Sequence, residues 1–295
     1  MERIDDLQRG GCRIIQRPEL FCFGMDAVLL AAWAELKPGD RVLDLCSGNG
    51  IVPILMDARL PEEIRREGSV HFTGVEINST CVDMAARSAQ MNGQADRIRF
   101  LAGDVRELFR AQPGPGQALS GGMGQERSVR SAGSMSAEQS LQPAGSSTAE
   151  QSLQAAGSST AELTPGFFDC VTVNPPYMTG SGGLKGPSEE RAIARHEVLC
   201  TIDDVARSAG RALKQRGHLY MVHRPHRLGD IFRALTKHGL AVKRMRMVHP
   251  FVRKEANLVL IDAVKGGKSY VHAEAPLVIY REKGVYTEEL KALYG

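Results

Sequence analysis

The chain has 295 residues, 42% hydrophobic and 24% charged, with a net charge of +3. That length allows one large α/β domain or two small ones, and the composition excludes a disordered or fibrous chain. No stretch approaches the ~20 apolar residues of a membrane span, and the polar first eleven residues lack a signal-peptide core, so a cytoplasmic protein is expected.

In chain order, the sequence predicts alternating strands and helices. Residues 1–35 read as an N-terminal segment ahead of a domain spanning 36–264. Arg41-Val-Leu-Asp-Leu45 is a short apolar strand ending in the glycine-rich turn Cys46-Ser-Gly-Asn-Gly50. A helix follows over 51–60, with Pro53 in its first turn, where a missing N–H does no harm. A second strand spans 70–77. A helix over 78–92 follows, with Ser79 or Thr80 as candidate cap and Gly93 as stop. The third strand, 98–101, ends at Gly103-Asp104, and the fourth, 168–173, runs into Asn174-Pro-Pro-Tyr177.

Between strands three and four, residues 111–165 differ in kind. They are rich in Gly, Ser, Ala and Gln. A twelve-residue unit, Ala137–Thr148, repeats as Ala149–Thr160, and a third copy starts at Ala161. Each unit offers one Leu, too little to offset the entropy of ordering, so this segment is expected to be a disordered insertion. Beyond it, Thr201-Ile-Asp-Asp204 opens a helix with a capping-box pattern. A strand at 218–222, an amphipathic helix around 228–235 and a hairpin of 241–248 with 258–263 complete the pattern. Residues 265–295 read as a C-terminal tail. Such alternation implies a mostly parallel sheet with helices on both faces, and ligands then bind at the carboxyl ends of the strands.

The six cysteines form no Cys-x-x-Cys pair and no Cys/His cluster with zinc spacing. They read as free thiols, and no metal is expected. The glycine turn by itself fits a dinucleotide site or a plain tight turn, but it lacks the strict G-x-G-x-x-G and the Lys-Ser/Thr of a P-loop. Asp44, which precedes it, points instead to S-adenosyl-L-methionine. Its carboxylate would hold the methionine amino group or order the loop formed with Ser47, Gly48 and Gly50. Glu76 ends the second strand, where an acid accepts from both ribose hydroxyls; its bland alternative is a solvated strand-end acid. Asp104 would accept from the cofactor's adenine amino group, or serve merely as a helix cap.

Asn174-Pro-Pro-Tyr177 carries the sharpest chemistry. An exocyclic aromatic amine is a poor nucleophile, because its lone pair is delocalised into the ring. The Asn174 side-chain oxygen and the Pro175 carbonyl, both accepting from the amine, would pyramidalise the nitrogen and aim its lone pair at a methyl donor. The prolines fix φ and make the loop rigid. Tyr177 supplies a flat face for an extruded base. The bland reading is a proline-rich turn.

The C-terminal half is basic. Arg224, His226, Arg227, Arg233, Lys237, Lys243, Arg244, Arg246, Arg253 and Lys254 fall within about thirty positions. Arg224, Arg227, Lys243, Arg244 and Arg246 are candidate RNA-phosphate contacts; the bland alternative is a solvated face. His196, His223 and His249 have no Ser or Cys partner arrangement and read as structural or RNA-contacting.

Together Asp44–Gly50, Gly74-Val-Glu76, Gly103-Asp104 and Asn174–Tyr177 resemble class I methyltransferases of the amino-methylating branch. Further stretches resemble the bacterial tRNA (adenine-N6)-methyltransferase family that acts on valine tRNA. These are Phe23–Leu30, Ala194-Arg-His-Glu197, Met221–Leu228, Glu255–Leu260 with Lys265-Gly-Gly267, and Pro276–Tyr280. The resemblance implies a Rossmann-like, seven-stranded sheet whose last two strands are antiparallel, a tRNA substrate, and an Asp26 that closes over the methionine end of the cofactor. Cys46 departs from the family, which usually has a glycine there. The motif alone also fits guanine N2 in ribosomal RNA, adenine in DNA, or a protein glutamine amide. From other classes, a non-catalytic RNA-binding protein and an NAD-dependent dehydrogenase remain as alternatives.

Overall fold

The computed structural model describes residues 1–20, 22–109, 163–176 and 200–294. Side chains alternate along its central strands between two apolar layers. On β3 (Arg41–Leu45), Val42 faces one layer while Leu43 and Leu45 face the other. On β6 (Phe168–Val173), Cys170 faces the first layer while Val171 and Val173 face the second. This period of two, with both faces covered, is the mark of a buried sheet.

Strands β4 (His71–Glu76) and β5 (Ile98–Ala102) extend the sheet on one side of β3, all parallel. Strand β6 pairs parallel on the other side, followed by β7 (Leu213–His223). Next comes β9 (Leu258–Lys265), antiparallel to β7 and to β8 (Leu240–Phe251). The expected hairpin therefore forms, with β9 inserted between β7 and β8. The chain reverses its direction of sheet growth between β3 and β6, so the switch-point crevice opens at the carboxyl ends of those two strands.

Helices α1 (Met25–Trp33), α2 (Ile51–Arg59), the short α3 (Glu62–Glu67) and α4 (Ser79–Met91) join the chain around the first layer. Helices α5 (Ile202–Ala212) and α6 (Leu228–Lys237) pack on the second. The cap of α4 is Asn78, whose side chain accepts from Thr80 and Cys81 N–H, rather than Ser79 or Thr80. Thr201 and Asp204 form the expected capping box. An N-terminal hairpin, β1 (Arg3–Asp6) with β2 (Arg13–Gln16), stands apart from the main sheet.

The expected strand count changes. The sheet has ten strands among the described residues, not seven. The additional three are β10 (His272–Ala273), β11 (Leu277–Glu282) and β12 (Val285–Tyr286), with α7 (Glu288–Tyr294) after them. Residues 265–295 are thus part of the domain: Leu277 and Leu290 are fully buried in the first layer, and β11 pairs parallel with β8. The expected insertion at 111–165 lies outside the described residues except for 163–165, where Leu163 is buried in the second layer.

Candidate active site

Register lines up the strand ends. Leu45 pairs with Val75 on one side and Val173 on the other, and Glu76 pairs with Ala102. Asn174, Cys46, Glu76 and Gly103 therefore follow one another along the carboxyl edge, over three strand spacings or about 14 Å.

The turn after β3 is held from several sides. Ser47 N–H donates to the Val75 carbonyl (3.0 Å) and Gly50 N–H to the Ser47 carbonyl (2.9 Å). Gly48 N–H donates to Glu76 Oε2 (3.0 Å). Gly50 has φ +84°, and a Cβ there would lie 2.5 Å from Phe100 Cζ, so only glycine fits. Gly74 serves the same packing from β4, where a Cβ would strike the Phe100 ring and come within 2.6 Å of Ser47 Oγ. Cys46 keeps the left-handed backbone (φ +56°) that a glycine would adopt freely. Its thiol is pushed well up by a hydrogen bond with Cys200 and by burial.

Asp44 resolves between its two readings. It is 2% exposed, and its oxygens accept from Ser47 Oγ and Thr172 Oγ1, each at 2.6 Å. It orders the loop from beneath. Burial raises its carboxyl to about 7, the two hydroxyls pull it down and the charge of Glu76 raises it. Thr172 shares its strand face with Asp44, a partnership across 128 positions that no local motif could signal.

Glu76 accepts one backbone N–H on each oxygen, from Gly48 and Asn78 (2.9 Å). Each oxygen keeps a lone pair for an incoming hydroxyl. Asp104 is half-buried and accepts from the N–H of Arg106 (2.8 Å) and from its guanidinium (2.6 and 2.9 Å). Burial would raise it, but these bonds hold its carboxyl below the usual range. Residues 105–109 form a turn rather than a helix, so Asp104 closes that turn through the Arg106 N–H and caps no helix. Asn174 is half-buried and Pro175 buried directly after β6, while Tyr177 lies outside the described residues.

The N-terminal hairpin is tied to this loop. Asn49 Nδ2 donates to the Ile15 carbonyl (3.3 Å), Ile15 N–H to Ser88 Oγ (3.0 Å), and Phe23 N–H to Gln16 Oε1 (3.0 Å). These bonds fix the approach to α1, which carries half-buried Asp26 in its first turn. Neither Asn49 nor Gln16 stood out in the sequence.

The candidate phosphate contacts divide. Arg244 pairs with Glu35 (2.7 Å), Asp262 (3.2 Å) and Glu274 (3.4 Å) and lies over the Trp33 ring. Arg246 pairs with Glu289 and donates to the Ala275 carbonyl. Both are occupied in binding the terminal segments to β8, which corrects the expectation of phosphate contact for them. Lys243 donates to the Lys268 carbonyl (2.7 Å). Arg224 and Arg227 sit where β7 ends; the first donates to the Asn257 carbonyl and the second pairs with Asp230. His223 is buried, and burial with the Arg227 charge lowers it to about 4, so it is a neutral structural imidazole. Among the described residues, no helix is long and apolar enough to cross a membrane, and no group of three or more His, Cys, Asp or Glu could hold a metal.

The residues present fit S-adenosylmethionine. They offer carboxylates at the ends of two consecutive strands for hydroxyls and an amine, and glycines where backbone must approach a ligand. Asp44 and Glu76 have no cationic partner among the described residues, and their charge favours a sulfonium.

No protein-family model matches the chain. Curated relatives do. The tRNA1(Val) (adenine(37)-N6)-methyltransferase of Phocaeicola vulgatus is 25% identical over 270 residues, 92% of this chain and 87% of that protein. The enzyme of the same name from Dickeya chrysanthemi is 25% identical over 275 residues, 92% and 85%. Among solved structures, a predicted O-methyltransferase from Agrobacterium tumefaciens superposes with a TM-score of 0.60 at 20% identity, covering 92% of this chain and 95% of that one. The chain therefore has the Rossmann-like class I methyltransferase fold, and along most of its length it is a sequence relative of the bacterial tRNA (adenine-N6)-methyltransferases.

Proposed function

We propose that this protein transfers a methyl group from S-adenosylmethionine to the exocyclic N6 of an adenine in tRNA, at position 37 of valine tRNA, the target in its relatives' name. One observation carries the reading: Asn174-Pro175 follows the strand adjacent to the glycine turn, one strand spacing from Cys46. An amine gripped there lies beside the loop that would receive the cofactor.

When bound, the cofactor supplies an electrophilic methyl on a sulfonium. The chain's own groups do the rest. Glu76 holds the ribose hydroxyls and Asp104 the adenine amine. Ser47, Gly48 and Gly50 shape the loop over Asp44, and Asp26 covers the methionine end. The Asn174 side-chain oxygen and the Pro175 carbonyl accept hydrogen bonds from the two amino N–H groups and turn the nitrogen lone pair toward the methyl, with Tyr177 stacking on the base. Catalysis is then positioning and electrostatics, without a protein nucleophile. Arg224, Arg227 and Lys243 are the remaining phosphate candidates.

Incubating the protein with radiolabelled S-adenosylmethionine and bulk tRNA, then digesting to nucleosides for mass spectrometry, tests this. N6-methyladenosine is the expected product. Labelled methylguanosine, or no label in RNA, would overturn the reading.

A further inference from the structure

The amino edge of the sheet, opposite the candidate site, holds a cavity of about 330 Å³, a size that admits a small ligand. Four segments line it. The β1–β2 turn contributes Gly10 and Cys12, and α2 contributes Asp57. From α3 come Glu62, Arg65 and Arg66, and from the loop between α4 and β5 come Gln94 and Arg97. α3 leads into β4 and that loop leads into β5. The cavity is therefore about one strand length, roughly 16 Å, from the carboxyl edge where Asn174 stands.

Its charges are unequally matched. Asp57 is fully buried and meets the Arg97 guanidinium at 2.8 and 3.1 Å, and Arg97 also pairs with Asp96 at 2.9 Å. Arg65, half-buried, and Arg66, exposed, are in no ion pair with a described residue. Glu62, one turn earlier on α3, is the other acid of the lining. Three arginines thus stand against two acids. Burial pushes the Cys12 thiol up and the Asp57 charge adds to this, while the Arg65 charge opposes both. The Arg65 charge therefore reaches the wall that Cys12 forms. Two neighbouring guanidinium groups without carboxylate partners suit the oxygens of a phosphate.

A second observation is neutral in charge. Gln94 is 3% exposed, and its Nε2 donates to the Ile54 carbonyl (3.1 Å) and to Asp57 Oδ2 (2.9 Å). Its Oε1 is buried and has no hydrogen-bond partner among the described residues. Reversing the amide would set its oxygen against two acceptors, so the network fixes its orientation. Buried acceptors are seldom left unsatisfied. This one belongs to a side chain that lines the cavity, and what it lacks is a donor such as a hydroxyl.

We infer that this cavity is a binding site for a small ribose phosphate, separate from the site of methyl transfer. Arg65 and Arg66 hold the phosphate, and a sugar hydroxyl donates to Gln94 Oε1. Binding there does not require that the protein methylate RNA.

The test is isothermal titration of the full chain with ribose 5-phosphate, ribose and sulfate. Ribose 5-phosphate binds one to one. Sulfate carries charge but no hydroxyl and binds about tenfold more weakly; ribose carries hydroxyls but no charge and binds about a hundredfold more weakly. In R65A/R66A the affinity for ribose 5-phosphate falls about a hundredfold, as the loss of two charge-assisted hydrogen bonds requires. The melting temperature of that variant without ligand stays near wild type, which reports intact folding. The ligand series on the wild type decides the chemistry whether or not a variant folds. Absence of ribose 5-phosphate binding to the wild type overturns the site. So does equal binding to R65A/R66A, or ribose 5-phosphate binding no tighter than sulfate. If R65A/R66A weakens tRNA binding but leaves ribose 5-phosphate affinity unchanged, the arginines serve an RNA backbone and the small-ligand site falls.

Discussion

Two aspartates are buried at opposite ends of the unit formed by β3 and α2, and their partners differ in kind. Asp57, fully buried on α2, meets the Arg97 guanidinium at 2.8 and 3.1 Å and Gln94 Nε2 at 2.9 Å. Its charge is matched. Among the described residues, Asp44 meets the hydroxyls of Ser47 and Thr172, with Glu76 as its charged neighbour. A buried acid built only for stability is paired with a cation or removed. One left beside another acid under a glycine loop carries a cost that folding does not require, and the negative potential it creates is useful only where a cation binds. Folding thus supplies Asp57 with its counter-charge and leaves Asp44 with hydroxyl partners and a neighbouring acid.

This contrast can be broken by experiment. Asn174→Ala has the largest effect on chemistry. It removes an acceptor aligned with the amine and lowers kcat by about a thousandfold, as for loss of a preorganised polar group. Calorimetric cofactor affinity and the melting temperature stay near wild type. A variant retaining most of its turnover would refute the acceptor role. At the far end the pattern inverts: Arg97→Met leaves Asp57 buried without its cation, and unfolding free energy falls by about 3–5 kcal/mol. The remaining folded protein binds cofactor normally. Equal damage to affinity would mean the two ends are not separate.

The pH dependence sharpens the point. A carboxyl raised to about 7 in the folded state stabilises fully below its unfolded pKa, and that stabilisation is lost as pH rises through about 7. Comparison of urea unfolding for wild type and Asp44→Asn shows wild type losing about 2–3 kcal/mol more between about pH 5 and about pH 8. Parallel curves would show that Asp44 ionises freely. The smallest effect belongs to deletion of residues 115–162. Loop closure varies only logarithmically with length, so turnover and stability remain near wild type, and failure to fold on deletion would make that segment structural.

The glycine turn and the strand ends at Glu76 and Asn174 were legible because the local conformation of each depends on neighbours in the chain. The alternation of strands and helices was legible for the same reason. Arg244 and Arg246 misled: in sequence they stand in a basic run, whereas in space Glu35, Asp262, Glu274 and Glu289 converge on them from distant segments. The last strands escaped notice because β10 and β12 are two residues long and β11 breaks its register near Glu282, so no periodicity accumulates.

Sequence by itself determined which backbone turns are possible and which side chains can grip an amine, since glycine, proline and asparagine act locally. Tertiary structure decided which charges are matched and which stay open. That is a matter of what lies a few ångströms away in space, and it separated Asp44 from Asp57.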